Sequence, residues 1–167
     1  LYHIEILFDM VKILWVDDEI DLLKPYVLFL ETKGYSFSLA IDGNEALDIL
    51  AGEKIDIVFL DENMPGLSGL EVLTIIKERY PALPIIMITK SEEEQIMEQA
   101  IGSKISDYLI KPVNPNQILL TLKKHLDTKR LVSEKSTMSY QQEFRQIGMK
   151  LMDNDLDWQE WIELYKK

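Results

Sequence analysis

Apolar positions along the chain fall into two rhythms that alternate from one segment to the next. Five short runs, "KILWV" (12–16), "SFSLA" (36–40), "DIVFL" (56–60), "PIIMIT" (84–89) and "DYLIK" (107–111), read as strands. "IVFL" and "IIMI" are apolar on consecutive positions, which suits strands covered on both faces. Between them lie stretches with apolar residues at helical spacing. Strand alternating with helix predicts right-handed crossovers and a parallel sheet. The expectation is a (βα)₅ domain over residues 10–130: an α/β fold with a doubly wound, five-stranded parallel sheet, followed by a helical extension over 131–167.

The helices carry their own punctuation. "EIDLLKPYVLFLETKG" ends at Gly34, a suitable residue just past a C-terminus, and Pro25 falls early enough for the first turn to absorb it. "DGNEALDILAG" (42–52) is a second helix ending at Gly52. Ser68 and Glu71 form a capping box ahead of a third. Ser91 with three following acids suits the start of a fourth. Asn114 and Pro115 supply a cap and a first-turn proline for a fifth. Beyond a polar joint, "SEKSTMS" (133–139), Tyr140, Phe144, Ile147 and Leu151 make one helical stripe. Trp158, Trp161, Ile162 and Tyr165 make another, read as the start of a helical bundle. Residues 1–9 precede the first strand and are read as a vector-derived or extra N-terminal segment.

Composition narrows the class. The 167 residues are 47% hydrophobic and 28% charged, enough for a core and a soluble surface. Eighteen Lys and Arg stand against 29 Asp and Glu, a net charge of −11. That balance argues against direct nucleic-acid binding, which needs a basic surface to displace counterions. No run approaches membrane-spanning length. There is no cysteine, hence no disulfide framework or thiolate metal site. The expected location is the cytoplasm.

Chemistry gathers at the strand ends. Asp17, Asp18 and Glu19 terminate the first strand, and Asp61 the third. In an open parallel sheet, ligands bind beyond the carboxyl ends of the strands where the strand order reverses. For the order 2-1-3-4-5 that point lies between strands 1 and 3, so the carboxylates of Asp17, Asp18 and Asp61 converge. Clustered carboxylates call for a hard cation, and oxygen ligands favour Mg²⁺. Thr89 and Lys111 end strands 4 and 5, adding a hydroxyl and an ammonium. A carboxylate nucleophile, a metal, a cation and a hydroxyl donor are the equipment of phosphoryl transfer.

The set "WVDDE", "FLDENMP", "MIT" and "DYLIKP", in this order and spacing, resembles the receiver domain of two-component response regulators, a flavodoxin-like fold. The resemblance implies that Asp61 accepts a phosphoryl group from a histidine kinase. It implies that Asp18 ligates Mg²⁺ directly, Asp17 through water and Asn63 through its backbone carbonyl. It implies that Thr89 and Lys111 bind the phosphoryl oxygens, that Tyr108 is the switch aromatic, and that the bond before Pro112 is cis. Because Thr89 and Tyr108 sit on strands 4 and 5, a phosphorylation-enhanced homodimer through the face of the fourth helix, fifth strand and fifth helix is expected, with the tail relaying the change to an output domain. Two positions depart from the pattern: Lys90, where a small residue usually follows the threonine, and Lys104, where a glycine usually precedes the last strand. "KILWVDDEIDLLKPYVLFLETKGY" with "FRQIGMKLMDNDLDWQEWIELYKK" is similar to PorX-type regulators of Bacteroidetes, in which a helical bundle joins the receiver to a PglZ domain linked to type IX secretion. On that resemblance the chain is an N-terminal fragment; the receiver itself is not an enzyme beyond its own phosphorylation and dephosphorylation.

Blander readings exist for each residue. Alone, an Asp pair is a solvated loop, Thr89 a strand-end hydroxyl and Lys111 a surface cation. Glu19 reads as a helix-start acid, and His3 and His125 as solvent-facing. A haloacid-dehalogenase-like phosphatase shares the aspartate nucleophile but needs a second aspartate two residues on, where this chain has Asn63. A flavin module would want a hydroxyl-rich loop in place of "VDDEID". A phosphate-independent pseudo-receiver, serving as an interaction module, is favoured only by Lys90.

Overall fold

The computed structural model describes residues 10–90, 94–102 and 105–126, with positions 142, 145 and 146. The 1–9 segment, His3, Lys104 and both tail stripes lie outside the described residues. Five strands, β1 (Lys12–Val16), β2 (Ser36–Ala40), β3 (Ile57–Asp61), β4 (Ile85–Thr89) and β5 (Asp107–Ile110), alternate with five helices. These are α1 (Ile20–Glu31), α2 (Gly43–Gly52), α3 (Gly69–Arg79), α4 (Glu94–Gly102) and α5 (Pro115–His125). The sheet is parallel throughout, in the order β2-β1-β3-β4-β5.

Side chains alternate across the sheet, and each set finds its own helices. Ile13, Trp15, Phe59 and Ile88 pack with Leu23 and Phe29 of α1 and Ile118 and Leu122 of α5. Leu14, Val16, Leu60 and Met87 pack with Ala46 of α2, Val72 and Ile76 of α3 and Ala100 of α4. Central β3 and β4 are buried along their whole length, as strands covered on both faces must be. The sheet's edge strands, β2 and β5, are mostly half-buried.

Local signals set the element ends. The Ser68 hydroxyl accepts the Glu71 N–H while the Glu71 carboxylate accepts the Ser68 N–H, completing the capping box. Asp42 caps α2 by accepting the Glu45 N–H at 2.9 Å, and Asn114 caps α5 with Pro115 in its first turn. Two details differ from the sequence reading. Pro25 is the sixth residue of α1, inside the helix, where its ring is buried. α1 ends at Glu31 with Thr32 as cap, and Gly34, at φ 89°, makes the turn two residues later.

Candidate functional site

Three strand ends converge at the reversal of strand order. Asp17 follows β1 directly and Asp61 is the last residue of β3; both are buried, whereas Asp18 is exposed. Oxygen atoms of the three carboxylates lie within 4.8 Å of one another. Lys111, immediately after β5, reaches between the two buried acids. Its Nζ lies 2.8 Å from Asp17 Oδ2 and 3.2 Å from Asp61 Oδ2. This lysine is buried, unlike the surface cation it would be if read alone.

Burial decides the electrostatics. Desolvation pushes the Asp61 carboxyl up to about 6, with the neighbouring Asp17 charge adding to it. The Lys111 ammonium and the Asn63 N–H, donating to Oδ1 at 3.3 Å, pull the other way and do not cancel the burial. For Lys111, desolvation works against the charged form. The two carboxylates outweigh it and hold its pKa above the usual lysine value. The ammonium is therefore a permanent charge at neutral pH.

The remaining expected residues take their places around this centre. Asn63 is exposed in the loop after β3. Thr89 is the last residue of β4 and fully buried, and its carbonyl accepts the Lys111 N–H at 2.8 Å. Tyr108, in β5 beside Met87 of β4, packs half-buried against the α2–α3–α4 side of the core. Alternation puts Thr89 on that same face, two residues beyond Met87. The Lys111–Pro112 peptide is cis. One residue on, the Val113 carbonyl accepts the Tyr26 hydroxyl at 2.7 Å, which anchors the β5–α5 loop to α1; burial raises the Tyr26 pKa.

Several features escape a reading by sequence. The Cβ of any other residue at Gly69 would run into the Asp61 carbonyl oxygen and stand 2.7 Å from Glu62 Cα. The first turn of α3 is thus pressed against the backbone that carries Asp61, and a glycine at a helix start gives no hint of it. Glu19 caps nothing with its side chain. Its carboxylate meets Lys90 Nζ at 3.3 Å, across from the loop after β4. His125 is not solvent-facing: its Nε2 lies 2.8 Å from Asp107 Oδ2, because the last turn of α5 returns to the start of β5. Burial opposes ionisation of Asp107, but bonds from His125, the Tyr108 N–H and Lys124 win and lower its pKa.

Comparison with known proteins identifies the family. Residues 13–123 match the response regulator receiver domain, and residues 130–167 match the PorX response regulator linker domain. The transcriptional regulatory protein ResD of Bacillus subtilis (strain 168) is 37% identical over 112 residues, covering 67% of this chain and 46% of ResD. The chain thus spans about half the length of that curated relative. A CheY-like receiver domain protein of Methanospirillum hungatei JF-1 superposes with a TM-score of 0.68 at 28% identity, over 71% of this chain and 94% of that one. TrrA of Thermotoga maritima, solved in complex with Mg²⁺-BeF, superposes with a TM-score of 0.64 at 32% identity, over 70% of this chain and all (100%) of the other.

Proposed function

Since the chain belongs to the response regulator receiver domain family and carries a match to the PorX linker domain, we propose that it is a phosphoacceptor switch whose acceptor is Asp61. The observation that carries this reading is the buried contact of Lys111 with both Asp17 and Asp61, beside the exposed Asp18. It joins a nucleophilic carboxylate to a fixed cation in a crevice open at one corner.

The donor set is all oxygen, two buried carboxylates and one exposed, which fits Mg²⁺. Asp17, Asp18 and Asp61 would hold it, with the Asn63 carbonyl. When bound, Mg²⁺ supplies charge neutralisation for an incoming phosphoryl group. The chain's own residues do the rest. An ionised Asp61 oxygen attacks phosphorus while the bond from phosphorus to the kinase's histidine nitrogen breaks, and the electron pair leaves with the nitrogen. Lys111 and the Thr89 hydroxyl stabilise the equatorial oxygens. Asp61 needs no general base, because above about pH 6 it is already ionised.

The outward signal runs through the second face of the sheet. Thr89 and Tyr108 share that face, so drawing the threonine toward the phosphoryl group makes room that Tyr108 fills. Ile101 of α4 and Leu120 of α5 are exposed apolar side chains on the helices either side of edge strand β5, which supports self-association through the α4–β5–α5 surface. The proposed output is a C-terminal PglZ domain connected with type IX secretion, in the cytoplasm, a reading that the PorX linker match over residues 130–167 supports.

Beryllofluoride, standing in for the phosphoryl group, tests the reading. Trp15 lies two residues before Asp17, buried against Tyr26 and Phe59, and reports through its fluorescence. Saturable binding that needs Mg²⁺ and disappears in Asp61→Asn is the expected result. Equal binding by Asp61→Asn overturns the acceptor assignment.

A further inference from the structure

The contacts around the crevice close into a ring. Lys111 Nζ holds Asp17 Oδ2 at 2.8 Å, and Asp17 Oδ1 accepts the Glu19 N–H at 2.8 Å. The Glu19 carboxylate meets Lys90 Nζ at 3.3 Å. Lys90 follows Thr89, whose carbonyl accepts the Lys111 N–H at 2.8 Å and returns the ring to its start. Every link but one is made by backbone or by a buried side chain. The Glu19–Lys90 pair is half-exposed, its side chains 35% and 22% accessible, and it is the link that spans the β1–α1 loop and the loop after β4.

From this we propose that Lys90 and Glu19 are positioning residues that together form a clasp over the phosphoacceptor crevice, which must open before a donor reaches Asp61 and reopen before water does. The inference rests on Asp61 being the acceptor. The pair is the ring's weakest link: exposed ion pairs contribute little and exchange readily. It is also the only link of the ring that opens without stranding a buried polar group. Opening moves Lys90, the residue attached to Thr89, so the clasp governs access and the placement of the threonine together. Lys90 held by Glu19 is directed toward the α1 loop, so its ammonium is engaged before any anion arrives. The same barrier then precedes phosphorylation and hydrolysis, which lengthens the life of the phosphorylated state and slows its charging.

The test measures, in the full chain with Mg²⁺, the rate of phosphorylation by acetyl phosphate and the rate of loss of the phosphoryl group. The proteins compared are wild type, Glu19→Gln, Lys90→Gln, the double substitution and Lys90→Arg. If the clasp holds, each Gln variant accelerates both rates by roughly two- to fivefold, the scale of an exposed ion pair. The double variant is then no faster than either single, because one broken link already opens the ring. Lys90→Arg keeps the wild-type rates. If Lys90→Gln slows phosphorylation while Glu19→Gln speeds it, Lys90 is a direct phosphoryl ligand and the clasp is wrong. Unchanged or additive effects overturn it as well. Beryllofluoride binding by wild type and its loss in Asp61→Asn separate failure of the clasp from failure of the acceptor assignment.

Discussion

At the scale of single residues, the site holds an acid that resists ionisation beside a base that resists neutralisation. Burial gives the folded protein an Asp61 that binds a proton more tightly than the usual 3.8, with its pKa at about 6. A carboxyl raised on folding costs nothing below its unfolded value, and the full penalty is in force above the folded one. Metal-free protein should therefore lose stability as pH rises from about 4 to about 6, and Asp61→Asn should not. In urea melts without Mg²⁺, the variant is expected to gain about 3 kcal/mol over wild type at pH 7 and little at pH 4, at about 1.4 kcal/mol for each tenfold change in proton affinity. An equal gain at both values would mean that packing, not charge, separates them. Lys111 behaves oppositely. Lys111→Met strands Asp17 and Asp61 without their cation and is expected to cost about 3–5 kcal/mol, the range for breaking a buried pair. It should also abolish beryllofluoride binding, whereas retained binding would remove the lysine from the site.

At the scale of elements, the approach of α3 to β3 fixes where Asp61 stands. Gly69→Ala forces the helix start away from the Asp61 carbonyl, and backbone cannot yield as a side-chain tip does. A cost of about 1–3 kcal/mol is expected, as for overpacked cores, together with weaker beryllofluoride binding. Gly52→Ala is the control. A Cβ there meets nothing within 4 Å, so the change should be neutral or slightly stabilising by calorimetry. This contrast also marks what the sequence could disclose. Strand runs, the Ser68–Glu71 box and the Asn114–Pro115 start are local patterns and were legible to within a residue or two. So were Asp17, Asp61, Thr89 and Lys111, because strand ends of a parallel sheet share one edge whatever the side chains. The Gly69 contact, the Glu19–Lys90 pair and the His125–Asp107 pair join residues that no local periodicity connects. Gly52 and Gly69 look alike as letters; only tertiary contact makes one replaceable and the other not.

For the whole molecule, the proposed self-association rests on the exposed apolar residues Ile101 and Leu120 flanking β5. Phosphorylation-enhanced self-association is expected to appear as a monomer–dimer shift in sedimentation when beryllofluoride and Mg²⁺ are added. A chain ending at Arg130 should show the same shift if α4, β5 and α5 carry the contact. If only the full chain shifts, the contact belongs to residues 131–167. Among the described residues no helix is long and apolar enough to cross a membrane. The linker match begins at residue 130, shortly after α5 ends at His125, which is where the proposed switch would hand its signal on.

The ammonium of Lys111 is a counter-ion on a leash. Dialysis or chelation removes a soluble ion from a protein, but this one is held by its own backbone between two strand ends. The domain therefore brings one fixed positive charge to its two buried acids, and the second acid is left for a proton or a metal to balance. Magnesium arriving at the crevice adds to a site already tied together, and its contribution is limited to mass action on a folded partner. On the proposed reading, a swing in magnesium would change how readily the domain takes a phosphoryl group and leave its fold in place.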